Sequence, residues 1–247
     1  MKNTKLLYLN KDKITYKQLM QILKKDPNLD SVPYNEAKKY EESLTCKYIT
    51  IFDSAYPNKL KLLPNPPWLI YYSGNISILS NRLTGIYGST KPTNYGIKST
   101  RDIIKKEITN DIITCFTYGI SKQVILSSKI QSRNLICILA SSFSRAYPLS
   151  MKDLIPGIIK EGLLISLFPP DSDVCFENYK QQNELLVSLC EDIYIVEAKE
   201  NSPSMYMALH ASEQLKDVYA LPGNIYSENS KGTNMLIQEG ANVITFD

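Results

Sequence analysis

A chain of 247 residues can bury a full hydrophobic core and allows one large domain, or one domain with a small appendage. With 28 basic and 25 acidic residues the net charge is only +3, so a globally polyanion-binding composition is excluded and any basic footprint must be local. Five cysteines, an odd total with no C-x-x-C pair, exclude a disulfide framework, and the single histidine, His210, excludes sites built on two histidines; no metal and no cofactor is expected.

The opening residues, MKNTKLLYLNKDK, lack an apolar stretch of signal-peptide length, and no run of about 18 apolar residues occurs anywhere, which predicts a cytoplasmic chain without membrane contact. Thr15 is placed to cap a short helix carrying Leu19, Ile22 and Leu23, and a second charged segment follows around Asn35 to Ser43. Pro57, Pro64, Pro66 and Pro67 forbid a long helix in the next stretch. The Pro-Pro-Trp run fixes an extended approach to WLIYYSG, which reads as an added strand. From residue 83 onward the texture changes. LTGIYG, DIITCFT, NLICILA, GLLISLF, DIYIVEA, DVYALPG and ANVITF are short apolar runs without polar alternation, as expected of parallel strands covered on both faces. Helix-like segments separate them: Ile97, Ile104 and Ile108 recur on one face, and Val124, Leu126 and Ile130 repeat the pattern. This alternation predicts an α/β fold, a doubly wound and mostly parallel sheet with helices on both faces, preceded by a small helical segment. The expected division is a short helical region over residues 1–45 and an extended sheet-bearing region over 46–247.

In such a sheet, ligands bind outside the carboxyl ends of the strands, where loops lead into helix N-termini. Four loops stand out: YGSTKPTNYG after the first core strand, TYGISKQ after the second, EAKENSPSMYMA after the fifth and LPGNIYSENSKGTN after the sixth. Gly88, Gly119 and Gly223 permit close backbone approach or positive φ, and Ser89, Ser202 and Ser204 bring hydroxyls beside free helix N–H groups, a combination suited to an anion. Charge is unevenly spread. Residues 85–133 carry eight basic and three acidic side chains, a local +5, whereas residues 171–200 carry eight acidic and two basic ones, a local −6. Glu197 and Glu239 read as structural carboxylates, since no partner of catalytic type shares their loops, and no catalytic residue is expected.

The ordered series YPNKLKLLPNPPWLIYYSGN, GIYGSTKPTNYG, ILASSFSRAYPLSMKDL, EGLLISLFPPD, IYIVEAKENSPSMYMALHA and KDVYALPGNIYSENSKGTNMLIQEGA resembles the DNA-processing protein A family, DprA, also called Smf. Its most specific parts are Glu197-Ala198 with Ser202-x-Ser204, and Pro222-Gly223, Gly232, Asn234-x-Leu236-Ile237 and Gly240-Ala241. The resemblance implies a Rossmann-like domain that binds single-stranded DNA without sequence preference and, as a homodimer, loads it onto the recombinase RecA during natural transformation or recombination, without catalysis. It maps the DNA-binding positions onto Gly88, Ser89, Thr90, Lys91, Gly119, Ser121, Lys122, Lys180, Asn183, Ser202, Ser204 and Gly223.

The departures are equally specific. Where the family places arginine after Gly-Ser this chain has Thr90; the family's Ser-Gly-x-Ala-Arg-Gly-Ile-Asp loop becomes residues 114–121, with Tyr118 at the arginine; and its Arg-Asn-Arg segment becomes Gln182-Asn183-Glu184. Each change removes a bidentate guanidinium, leaving Lys91, Lys122 and Lys180 as substitute point charges, so reduced affinity is expected. Two alternatives stay open. One is a degenerate scaffold that keeps a protein-interaction role. The other is a nucleoside-monophosphate phosphoribohydrolase of the LOG type, suggested by Pro222-Gly223 and Gly232-Thr233, although that family's glutamate three residues after the threonine is here Leu236.

Overall fold

Three helices open the chain, α1 (Lys2–Leu9), α2 (Tyr16–Lys25) and α3 (Tyr34–Glu42), in a computed structural model that describes residues 1–246. Asp247, the end of the expected 46–247 region, lies outside the described residues. Thr15 caps α2 as its sequence position predicts, accepting from the Gln18 amide while the Gln18 side chain accepts from the Thr15 amide. The sequence reading did not foresee α1. Its Leu6 and Leu7 are buried beside Leu19, Leu29 and Ala37, and Trp68 donates its indole N–H to the Ile14 carbonyl at 2.7 Å, pinning this region to the body of the protein.

Next come β1 (Lys47–Thr50), the single-turn α4 (Asn58–Lys61) and β2 (Leu69–Gly74). The proline-rich stretch between the strands carries no longer helix, and WLIYYSG does add a strand. β2 pairs antiparallel with both β1 and β6 (Leu163–Ser166). The remaining apolar runs form β3 (Leu83–Gly88), β4 (Asp111–Cys115), β5 (Leu135–Ile138), β7 (Asp192–Val196), β8 (Asp217–Ala220) and β9 (Asn242–Val243). Between them lie α5 (Asn94–Lys106), α6 (Ile120–Ile130), α7 (Ile155–Glu161), α8 (Phe176–Leu189), α9 (Pro203–Glu213) and α10 (Glu228–Gln238).

The strands make one sheet in the order β1-β2-β6-β5-β4-β3-β7-β8-β9, parallel throughout from β6 to β9. From β3 the chain winds outward through β4, β5 and β6, then returns to pair β7 on the other side of β3. The strand order therefore reverses at β3 and β7, which opens a crevice at their carboxyl ends. Successive strand residues enter opposite cores, as the period-two geometry requires. Ile112 and Leu164 join Ile103, Ile120, Val124 and Ile158 on the face covered by α5, α6 and α7. Ile113 and Ile165 join Leu186, Met207, Ala211 and Leu236 on the face covered by α8, α9, α10 and the N-terminal helices. One helix face differs from expectation: α6 buries Ile120, Val124 and Ile125, while Ile130 is exposed and Leu126 half-buried.

Candidate nucleic-acid interface

The crevice is built by loops that lock onto one another. A Cβ on Gly88 would stand 1.8 Å from the Val196 carbonyl oxygen, so only glycine lets β3 close against β7 there. The Ser89 amide then donates to the Glu197 carbonyl at 2.8 Å. Gly119, at φ +74°, lets the loop after β4 pack on Ser89 and Thr90, and the Ile120 amide donates to the Ser89 carbonyl at 3.0 Å. On the other flank, Asn229 at the start of α10 donates its side-chain amide to the Lys91 carbonyl at 2.8 Å and accepts the Ala198 amide at 2.7 Å. Asn234 brackets Gly223, accepting from its amide at 3.1 Å and donating to its carbonyl at 3.0 Å. The Tyr95 hydroxyl donates to the Pro222 carbonyl at 2.7 Å.

At the bottom of this crevice lies a carboxylate. Glu197 is 2% exposed, sits at φ +56°, and accepts from both the amide and the hydroxyl of Thr93, the residue that caps α5. A helix N-terminus attracts an anion, and here the chain supplies its own. Glu197 thus takes the backbone N–H and hydroxyl of the capping residue from within the protein. The exposed residues of this turn include Thr90 and Lys91, and Thr93 to Tyr95 at the start of α5.

The twelve residues singled out in the sequence separate by burial. Thr90, Lys91, Lys122 and Lys180 are exposed; Ser89, Gly119, Asn183, Ser202 and Gly223 are half-buried; Gly88, Ser121 and Ser204 are buried and shape loops from beneath. The Ser89 hydroxyl accepts from the Lys91 amide at 3.1 Å, and the hydroxyls of Ser121 and Ser202 are enclosed without a partner among the described residues. Lys91 and Lys122 border the same loop junction, Lys91 in the β3 loop and Lys122 on α6. Lys180 and Asn183 belong to α8, on the face of the sheet opposite α6. Asn183 accepts from the Cys115 thiol at 3.6 Å, at the end of β4, whereas Lys180 lines two clefts beside α8 that include neither Lys91 nor Lys122. Neither cleft beside α8 thus joins Lys180 to Lys91 or Lys122.

Position 182 also corrects an expectation. Gln182 is 0% exposed and donates to the Ile138 carbonyl at 2.5 Å, tying α8 to the end of β5. Its side chain faces the core, so in this chain the change at 182 does not strip a charge from the surface. Arg145, the arginine of the loop after β5, is engaged by Asp173 at 2.9 Å, and this partner raises its pKa.

Aromatic side chains stand at this edge, of which the sequence pointed only to Tyr118, as a lost arginine. Tyr118, 42% exposed, accepts from the Ser150 hydroxyl at 3.2 Å, and Tyr147 is comparably exposed. Tyr179, half-buried on the first turn of α8, has its phenol pushed up by burial first and then by the nearby Tyr147 and Tyr118 hydroxyls. The hydroxyls of Tyr118, in the β4 loop, and Tyr147, in the β5 loop, thus lie near that of Tyr179 on α8. The signal available beforehand was compositional, 17 tyrosines against six phenylalanines, with Tyr118 just past an apolar run. Among the described residues no group of three or more histidine, cysteine or carboxylate side chains is arranged to hold a metal, and no helix is long and apolar enough to cross a membrane.

Comparison with known proteins gives a consistent picture. The family model for DNA recombination-mediator protein A matches residues 47–246. The DNA processing protein DprA of Bacillus subtilis is 30% identical over 200 residues, covering 79% of this chain and 67% of that protein. DprA of Streptococcus pneumoniae is 28% identical over 198 residues, covering 79% and 70%. In structure, the chain is similar to the S. pneumoniae DprA crystal structure, with a TM-score of 0.89, 24% identity, and coverage of 99% of this chain and 95% of that one. It is also similar to DNA processing protein A of Helicobacter pylori, a protein with a unique single-stranded DNA binding mode, with a TM-score of 0.71, 24% identity, and coverage of 81% and 92%.

Proposed function

The chain belongs to the DNA recombination-mediator protein A family, and from that premise we propose that it binds single-stranded DNA across the carboxyl edge of its sheet and, as a homodimer, passes the strand to the recombinase RecA. The support for this reading is the exposed Tyr118 and Tyr147, whose hydroxyls lie near that of Tyr179, together with the exposed Lys91 and Lys122 that flank the junction of Ser89 with Ile120. Stacking rings next to backbone-tracking cations are what a sequence-tolerant single-strand site requires, since every base has a π-face and every nucleotide a phosphate. The edge lacks free guanidiniums at positions 90 and 118, so affinity leans on stacking more than on charge. For the dimer, the support is the short edge strand β9 with its exposed Val243, a surface open to a second copy.

The role is one of binding without catalysis. Glu197 is committed to Thr93, Gly232 donates its amide to the Ala198 carbonyl, and His210 pairs with Glu213 and Gln214 on the side of α9. A glycosidic-cleavage loop would need these groups free. The scaffold reading keeps one observation in its favour, the cleft of about 660 Å³ between α8 and α9, where Phe176, Tyr206 and Leu209 are exposed.

Fluorescence anisotropy with a labelled oligo-dT at low salt separates these readings. Binding is expected, weakened roughly tenfold by Tyr118→Ala and at least as much by Lys91→Glu combined with Lys122→Glu. Absence of binding at tens of micromolar protein overturns the DNA reading and leaves the scaffold. Release of adenine from AMP would restore the enzyme.

A further inference from the structure

At the far end of the same edge, the loop from β8 to α10 presents Ile225 and Tyr226 to solvent, 72% and 87% exposed. Large apolar side chains at a loop tip are unremarkable when the loop is loose, but this one is braced. Asn224 accepts from the Tyr226 amide at 2.9 Å through its side chain and from the Ser227 amide at 2.9 Å through its carbonyl. Behind it, Asn234 brackets Gly223 and Tyr95 bonds to Pro222. The backbone is already ordered, so a ligand meeting this tip loses little entropy in fixing it. Asn229 fastens the start of α10 to the Lys91 carbonyl, which sets the tip beside an exposed cation. Charges nearby cancel: Glu228 is paired with Lys231 at 2.7 Å, and the β7 loop exposes Lys199 next to Glu200.

We propose that Ile225 and Tyr226 form a second base-contacting station, so that a bound single strand crosses the sheet edge from the Tyr118 cluster, past Lys91, to the β8–α10 loop. This rests on the single-stranded DNA reading and adds a path and a length to it. In the sheet, β4 and β8 are separated by β3 and β7. Three interstrand steps amount to about 14 Å. A stacked strand advancing about 3.4 Å per nucleotide needs about four nucleotides to reach from one station to the other. Probes shorter than that engage one station, and longer ones engage both.

Oligo-dT probes of about two and about twelve nucleotides distinguish the stations. For the longer probe, Tyr226→Ala is expected to weaken binding roughly fivefold to tenfold, and for the shorter one to leave it unchanged. An oligonucleotide carrying 5-iodo-deoxyuridine near one end should photo-crosslink to the peptide containing Tyr226. Equal affinities of wild type and Tyr226→Ala at both lengths, with no crosslink, overturn the second station while the first remains. Loss at both lengths alike also overturns it, because the two contacts are then not separable. A variant that turns monomeric by light scattering assigns the tip to a contact between copies and overturns the proposal as well. If the wild-type protein binds neither probe, the single-stranded DNA reading itself fails and the path fails with it.

Discussion

A carboxylate held under the start of a helix, as Glu197 is under α5, fixes the capping residue Thr93 through its backbone N–H and hydroxyl and faces the positive end of the helix dipole. Replacing it by glutamine keeps the shape but removes the charge facing the helix dipole and leaves one oxygen to accept from Thr93. Glu197→Gln is expected to lower stability by about 1–2 kcal/mol, read as a reduced urea midpoint with an unchanged slope. An unchanged midpoint would mean that the carboxylate is not what holds the α5 start. At this scale the sequence was informative in an uneven way. Glu197 could be assigned a structural role because no catalytic partner shares its loop, and its contacts with Thr93 agree. Tyr118 was visible as a lost arginine, but its nearness to Tyr147 and Tyr179 is a tertiary fact that brings together three separate segments. Gln182 misled for a related reason: a helix residue written beside Asn183 and Glu184 gives no sign that it alone points at the end of β5.

Elements were legible where burial on both sides forces an unbroken apolar run. The six strands from β3 to β8 were foreseen for that reason, whereas β9, expected over ANVITF, is an exposed two-residue edge strand. β1, with Lys47 and Tyr48 at its exposed start, and α1, whose Lys2, Asn3, Thr4 and Lys5 hide the Leu6-Leu7 pair, carry no such run. The face of α6 was misjudged because small hydroxyls, Ser121, Ser127 and Ser128, are buried with its isoleucines. A prediction at this scale concerns the turn that leaves α2. The Asp26 carboxylate accepts from the amides of Asp30 and Ser31 and from the Ser31 hydroxyl, and these bonds, Ser31 first, lower its pKa from 3.8 to about 2. Stability gained this way is complete above 3.8 and is lost as pH falls toward about 2. Trp68, the only tryptophan, is buried and bonds to Ile14, so its fluorescence reports docking of the N-terminal helices. The urea midpoints of wild type and Asp26→Asn, followed by that fluorescence, should differ at neutral pH and converge as pH approaches about 2. Parallel pH curves would show that the turn is held by something else.

Over the whole molecule, the sequence correctly indicated that charge is polarised, but the count of basic residues overstated what a ligand meets. Of the basic residues near the carboxyl edge, Arg145 is bound to Asp173 and Lys231 to Glu228, and Lys180 lies along the opposite face of the sheet. Lys91 and Lys122 remain exposed, flanking the junction of the β3 and β4 loops. Each phosphate contact on a single strand contributes about −0.7 to the slope of log K against log salt, so two lysines give a slope near −1.4. An edge with several added arginines would give about −4. The expected outcome of anisotropy titrations over a range of NaCl is therefore a shallow slope, between about −1 and −2, with residual binding at high salt that disappears in Tyr118→Ala. Lys91→Glu with Lys122→Glu should flatten the slope further, because the contacts that release counterions are gone. A wild-type slope steeper than about −3 would show that the strand follows a different, more basic surface, such as the exposed lysines and arginine of α5, and would move the interface off the tyrosine edge.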